Sequence, residues 1–294
     1  MPQTVDPPLL AANVVDIRRF STHDGAGIRT TIFMKGCSLA CQWCQNPETL
    51  DARIGPVFFR KKCIDCLRCV EIATHGEASV DEVGHVAVDT TILDADWLAQ
   101  VNACPTGAIA FNGVRYTVAD LVEVAQRDRV FFGHEGGVTI SGGEPLFMPH
   151  FAAALLAELK ADGINTAIET ALNVRTEFLL EALPHCDHVF ADCKLIDPDA
   201  HRTYIGHGNA LILENLRVLL TGDRCDDVTI RTPMIPGITD TEDNIRGIAS
   251  YVSGLYPGVR YEILNYNPLA AAKYEVLPGQ EYLFAKDENP KMYT

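Results

Sequence analysis

Hydrophobic and polar positions change rhythm repeatedly along the chain. From about residue 106 onward, short β-rich runs alternate with stretches of helical spacing. Residues 137–141, 165–170, 188–192, 228–231 and 261–264 read as strands, and a first strand is expected at 30–35. Apolar residues three and four positions apart predict helices over 150–161, 175–183 and 211–220, with another starting near Thr241. Strands separated by helices in this way argue for parallel βα units. Six such strands are fewer than the eight of a closed barrel, so the array fits either a doubly wound sheet or an incomplete barrel. Residues 57–105 break the alternation and read as an insertion, leaving 1–56 and 106–294 as the main unit.

Composition narrows the class. Apolar residues make up 47% of the 294 and charged residues 21%, an ordinary globular profile. The 24 basic and 39 acidic side chains give a net charge of −15, and the densest basic run is Arg60-Lys61-Lys62. A general nucleic-acid binder is disfavoured by that balance. The apolar run at 151–157 falls far short of the ~20 residues a membrane span needs. The opening residues lack a basic region followed by an apolar core, so the expected compartment is the cytoplasm. Disulfides are not favoured there. That makes the ten cysteines informative, because seven of them fall within residues 37–104. Clustered cysteines in such a setting point to metal.

Cys37, Cys41 and Cys44 have the spacing C-x3-C-x2-C directly after the first strand. Three thiolates on a tight loop suit an iron–sulfur cube, and a cube so held keeps one iron open for chemistry. Zinc would want a fourth Cys or His close by, and residues 45–62 contain none. Cys63, Cys66 and Cys69 follow with C-x2-C-x2-C spacing, the opening of a bacterial ferredoxin run. Ala73 stands where that run places its fourth Cys, and Cys104-Pro105 resembles the end of the second ferredoxin run. One auxiliary [4Fe–4S] cluster on Cys63, Cys66, Cys69 and Cys104 is expected; a four-Cys zinc site is the other reading. Cys186, Cys193 and Cys225 read as buried structural cysteines.

The first cysteine loop carries Trp43 before its last Cys, with Asp24-Gly-Ala-Gly-Ile-Arg29 ahead of it and Cys44-Gln-Asn-Pro-Glu-Thr49 behind. Together these resemble the glycyl-radical-enzyme activating enzymes of the radical S-adenosylmethionine (SAM) superfamily, over about residues 16–274. The resemblance implies an α/β fold, an incomplete (β/α)6 TIM-like barrel with an inserted ferredoxin-like subdomain. It implies a catalytic [4Fe–4S] cluster on Cys37, Cys41 and Cys44 that binds SAM and cleaves it reductively. The resulting 5′-deoxyadenosyl radical takes hydrogen from a backbone glycine of a partner enzyme. Ser141-Gly142-Gly143-Glu144 resembles the family motif that handles the SAM amino group, and Asp192-Cys193-Lys194 its D-x-K motif. Trp43, Cys44, Gln45 and Arg231 join these as implied SAM contacts. Glu169-Thr170 with Asp192 matches a set that holds a monovalent cation, and Asp24 an acid near the bound glycine loop.

Two departures stand out in the motifs. Ala26 replaces the usual Pro of D-G-P-G-x-R. In the C-terminal motif spanning Leu264 to Tyr274, Asn267 stands for a SAM-contacting His and Ala270 for a Gly. Asn hydrogen-bonds but carries no charge. The implied partners are a glycyl radical enzyme and an electron donor such as flavodoxin or ferredoxin, with the chain itself a monomer. Two rivals remain at this point. One is a radical SAM enzyme acting on a small molecule or another peptide, and the other is a non-catalytic iron–sulfur electron carrier.

Overall fold

The computed structural model describes residues 10–266, 270–277 and 282. Strand β1 (Ala11–Ser21) leads through a turn into β2 (Arg29–Met34), and the two pair antiparallel. A small unit follows: β3 (Pro56–Phe58), helix α1 (Arg68–Ile72), β4 (Ala78–Val80), β5 (Val86–Val88), α2 (Trp97–Ala103) and β6 (Ile109–Phe111). The chain then returns through β7 (Val114–Thr117) and α3 (Val118–Phe132). Next come β8 (Gly137–Gly142), α4 (Pro149–Ala161), β9 (Asn165–Thr170), α5 (Thr176–Ala182) and β10 (His188–Asp192). It finishes with α6 (Pro198–Ile205), α7 (Ala210–Thr221), β11 (Val228–Met234), α8 (Glu242–Leu255), β12 (Arg260–Asn265) and the short α9 (Ala271–Tyr274).

The main sheet runs β12-β11-β10-β9-β8-β2-β1-β7. The six expected βα strands are all present, adjacent in chain order and parallel throughout. Two strands that the pattern did not announce, β1 and β7, extend one edge antiparallel. They escaped the reading because neither belongs to a strand–helix–strand crossover. The sheet is thus an incomplete barrel with an antiparallel extension.

Side chains alternate across each strand, and this decides what faces where. Ile32, Val138, Ile140, Ile168, Val189, Ala191 and Ile230 pack outward with Leu121 of α3, Leu155 of α4, Leu179 of α5, Leu216 of α7 and Val252 of α8 in one core. The intervening residues, Thr31, Thr139, Ser141, Glu169, Phe190, Asp192 and Arg231, are polar or functional and look into the barrel. A second, smaller core of Cys69, Ala78, Val86, Trp97 and Ile109 holds the inserted unit. Its last strand, β6, pairs with β3 and lies beyond residue 105.

Polar locks hold the loops against this frame. Asn215 of α7 is fully buried; its Nδ2 donates to the carbonyls of Leu172 and Val174 at 2.9 and 2.8 Å, and its Oδ1 accepts from Thr176. The loop after β9 is thereby fixed beside the site. Asn215→Ala strands those carbonyls in a dry interior and should lower the unfolding free energy by about 2–3 kcal/mol. Anaerobic urea denaturation followed by circular dichroism checks this; an unchanged midpoint would mean that the loop is held by other contacts.

Candidate active site

Gly36, two residues past the end of β2, has a φ of +100°, and a Cβ there would lie 2.4 Å from the Phe147 ring. The chain turns at this point into the loop bearing Cys37, Cys41 and Cys44. On the neighbouring strand, Gly142 has a φ of +116°, and a Cβ on Gly143 would sit 2.3 Å from the Gly36 carbonyl oxygen. The two strand ends therefore touch backbone to backbone. The Gly143 N–H donates to Met34 O at 3.0 Å, the Glu144 N–H to Gly36 O at 2.8 Å, and the Gly36 N–H to Thr49 O at 2.7 Å. The far side of the loop pairs with the end of α6, where Ala40 and Gln42 donate to the carbonyls of Ile205 and Tyr204.

A cavity of about 270 Å³ opens between these strand ends. Cys37, Cys41 and Cys44 line it, as do Trp43, Gln45, Gly142, Gly143, Glu169, Asp192, Lys194 and Arg231. Burial pushes the thiols up, to about 12 for Cys37 and Cys41 and about 11 for Cys44. Three thiolates in so dry a pocket are unfavourable alone, and iron is the kind of cationic group that offsets them. Among the described residues no three Cys, His, Asp or Glu side chains converge on a point fit for one metal ion. A cube does not ask for that, since each thiolate serves its own iron. The donor set fits the cluster that the sequence implies.

Opposite the thiols the wall carries both signs of charge. Lys194 Nζ donates to Asp192 Oδ2. Burial alone would lower the Lys194 pKa, but Asp192 and the neighbouring thiols outweigh it and hold the ammonium charged. Arg231 Nη1 donates to Glu169 Oε1 at 2.6 Å and Nε to Glu262 Oε2 at 3.1 Å, with the guanidinium 3.5 Å above the Phe190 ring. Ser141 Oγ holds the other Glu169 oxygen at 2.5 Å. Burial, reinforced by Asp24, raises the Glu169 pKa against the opposing pull of Arg231. Paired charges beside exposed glycine backbone suit a zwitterionic amino acid moiety.

Other sequence-derived residues fall differently. Cys193 lies between the two inward members of its motif, so alternation turns its thiol into the outer core, away from the cavity. Cys186 is buried as expected, whereas Cys225 is only half-buried, because it sits in a surface turn before β11. Glu144 is buried outside the cavity, where its carboxylate accepts from Leu146 N–H, Thr170 Oγ1 and Ala171 N–H. It ties the end of β8 to the end of β9, and Thr170 is committed to it. Trp43 is buried among Leu39, Leu195, Ile205 and Ile235 as well as lining the cavity. Asp24 accepts from Ser21 and Thr31 hydroxyls at 2.6 and 2.5 Å. Asn267 lies outside the described residues.

A further pair acts where the C-terminal motif had suggested SAM contacts. Lys273 Nζ donates to Asn46 Oδ1 and Glu48 Oε1 at 2.7 and 2.6 Å, and Tyr274 Oη to Cys44 O at 3.2 Å. These bonds clamp the cysteine loop from the far end of the chain. In the inserted unit, Cys63, Cys66, Cys69 and Cys104 line one small cavity walled by Phe58, Ile64, Leu67, Val86, Ala108 and Ile109. Backbone N–H groups of Asp65 and Ile109 point at the sulfurs of Cys63 and Cys104, each at 3.4 Å.

Comparison with known proteins agrees with this geometry. Residues 102–246 match the radical SAM superfamily model and residues 23–81 the model of a 4Fe-4S single cluster domain. The indoleacetate decarboxylase activating enzyme of Tractidigestivibacter scatoligenes is 38% identical over 291 residues, covering 96% of this chain and 91% of the relative. The isethionate sulfite-lyase activating enzyme of Oleidesulfovibrio alaskensis is 37% identical, covering 90% and 86%. The 4-hydroxyphenylacetate decarboxylase activating enzyme of Clostridioides difficile is 34% identical, covering 94% and 88%. The chain is a radical SAM enzyme and belongs to the activating enzymes of glycyl radical enzymes. It uses SAM to generate a glycyl radical on a partner.

The Glu144 carboxyl offers a pH test of the site's framework. Burial raises its pKa from 4.5 to about 7, despite its three donors. Between those values the unfolded chain has released the proton and the folded chain still holds it, so this group's stabilisation falls as pH rises. Glu144→Gln removes the titration, and its amide facing the Ala171 N–H adds a pH-independent penalty. The metal-free variant should gain about 3 kcal/mol on the wild type between pH 4.5 and 7, then track it in parallel. Melting both proteins across that range gives the difference, and a flat difference would place the ionised carboxylate in the fold at every pH.

Proposed function

We propose that Cys37, Cys41 and Cys44 hold the catalytic [4Fe–4S] cluster and that SAM lies between it and the ends of β8, β10 and β11. The observation that carries this reading is the single cavity shared by the three thiols, the Gly142-Gly143 backbone and the Asp192, Lys194 and Arg231 charges. When bound, the reduced cluster supplies one electron to SAM, giving methionine and a 5′-deoxyadenosyl radical. Gly142 and Gly143 receive the amino acid end, and Lys194 and Arg231 offer cations to its carboxylate. Trp43 and Leu264 bound the rest of the cavity. Glu169 and Asp192 are the carboxylates available to a monovalent cation, without the Thr170 hydroxyl. Lys273 and Tyr274 keep the cysteine loop in register with the wall opposite.

The inserted unit is read as a ferredoxin-like subdomain with one auxiliary [4Fe–4S] cluster on Cys63, Cys66, Cys69 and Cys104. The chain is read as a cytoplasmic monomer that takes electrons from a flavodoxin or ferredoxin. Among the described residues no helix is long and apolar enough to cross a membrane.

The test is anaerobic. Reconstituted protein should hold roughly eight irons per chain, and Cys66→Ser/Cys69→Ser should hold about four. Four irons with one zinc in the wild type would replace the auxiliary cluster by a structural metal. Incubation with reductant, SAM and an extract of the source organism should yield 5′-deoxyadenosine and a SAM-dependent glycyl radical doublet by EPR. Oxygen then cleaves the partner at the radical glycine, and the fragment identifies it. Cys41→Ser should abolish both products; a doublet surviving that change would remove these thiols from the chemistry.

A further inference from the structure

A second cavity, of about 610 Å³, lies at the opposite end of the barrel strands. Arg29, Asn165, His188 and Arg260, the first residues of β2, β9, β10 and β12, line it. Arg231 lines this cavity and the cysteine cavity alike, so its side chain is a wall common to both. A chain segment entering from the strand starts is brought up to that wall.

Near that opening, at the same end of the strands, lies an apolar patch. Val130 is 82% exposed, Phe20 51%, Phe131 47% and Ile28 37%. These four come from the end of β1, the residue before β2 and the end of α3, all at the strand-start end. Their exposure is built rather than incidental. The register of β1 against β2 slips between Arg18 and Ser21, and Phe20 there adopts a φ of +62°, a costly conformation for an aromatic residue. The slip turns the ring toward Phe131, with centroids 4.8 Å apart at 83°. Arg19 fixes the slip from below: its Nε donates to the buried Asp128 of α3 at 2.7 Å, and Asp128 also accepts from Thr30. A rigidly held apolar lip on a chain of net charge −15 marks a contact surface.

We propose that Phe20, Ile28, Val130 and Phe131 form the seat for the folded body of the partner enzyme, beside the opening through which its glycine segment enters. This rests on the glycyl-radical reading, because that partner is the one whose backbone must reach the SAM pocket. The lip residues flank Thr22, Ala26, Arg29 and His134 of the cavity wall along the chain, and this place beside the opening selects that partner over a second copy of this chain, which would have no reason to face it. The lip contributes affinity for the folded partner and nothing to SAM cleavage.

Val130→Asp/Phe131→Asp alters only exposed side chains. Radical formation is measured by EPR against concentration, using the partner identified by its oxygen-cleaved fragment and a synthetic peptide of its glycine segment. The partner concentration giving half-maximal rate should rise tenfold or more. Turnover at saturation, activation of the peptide and partner-independent 5′-deoxyadenosine formation should stay as in the wild type. An unchanged half-saturation with the folded partner would overturn the proposal, and so would an equal loss with the peptide. Sedimentation of the wild type as a dimer that the double change dissociates would give the lip to self-association and overturn it too. A wild type that cleaves SAM yet leaves the partner radical-free would instead defeat the underlying reading.

Discussion

The site depends on one close approach, the backbone of the cysteine loop lying against the backbone of the Gly142-Gly143 turn. Met34 and Gly36 accept from Gly143 and Glu144 across a gap that no Cβ could occupy. Parallel neighbours β2 and β8 bring the two turns to the same end of the sheet, since parallel strands deliver all their C-terminal ends to one side. The thiols, the exposed peptide groups and the charges on β10 and β11 then gather around one cavity. Lengthening either turn by a side chain would part the loop from the charged wall opposite it.

Around that contact the molecule spends its polar residues on position rather than exposure. Glu144 joins β8 to β9, Asn215 fixes the loop after β9, and Lys273 with Tyr274 reaches back from the C-terminal region to the cysteine loop. Each lock crosses elements distant in sequence, so the placement of the three thiols is set by the assembled barrel and not by the loop alone. A short loop with three thiols would otherwise be free to bind metals of many kinds.

Much of this was legible before folding. The βα rhythm located six parallel strands, and the cysteine spacings and their flanking motifs indicated the family. What escaped has physical causes. Strands β1 and β7 lie at an antiparallel edge with no crossover helix to announce them. Glu144 belongs to a motif whose glycines face the cavity, yet a buried carboxylate surrounded by donors is a structural tie, and no local pattern reveals that. Cys193 is the opposite case. Strand alternation places its side chain on the other face from Asp192 and Lys194, and the thiol lies in the outer core, as a buried structural cysteine. Thr170 shows the same tension, a motif member whose hydroxyl is taken by Glu144.

Arg231 stands between the two ends of the barrel and lines the cavity at each. Its guanidinium is held by Glu169 toward the cysteine cavity and by Glu262 toward the strand starts, and its face rests on Phe190. The Glu169 side chain is 22% exposed and that of Glu262 50%, so the two carboxylates hold it unequally. Coulomb attraction is stronger where water is excluded, which favours the Glu169 side. Glu262 is the partner already open to solvent, so it is the carboxylate that exchanges with water while the inner pair with Glu169 stays in place.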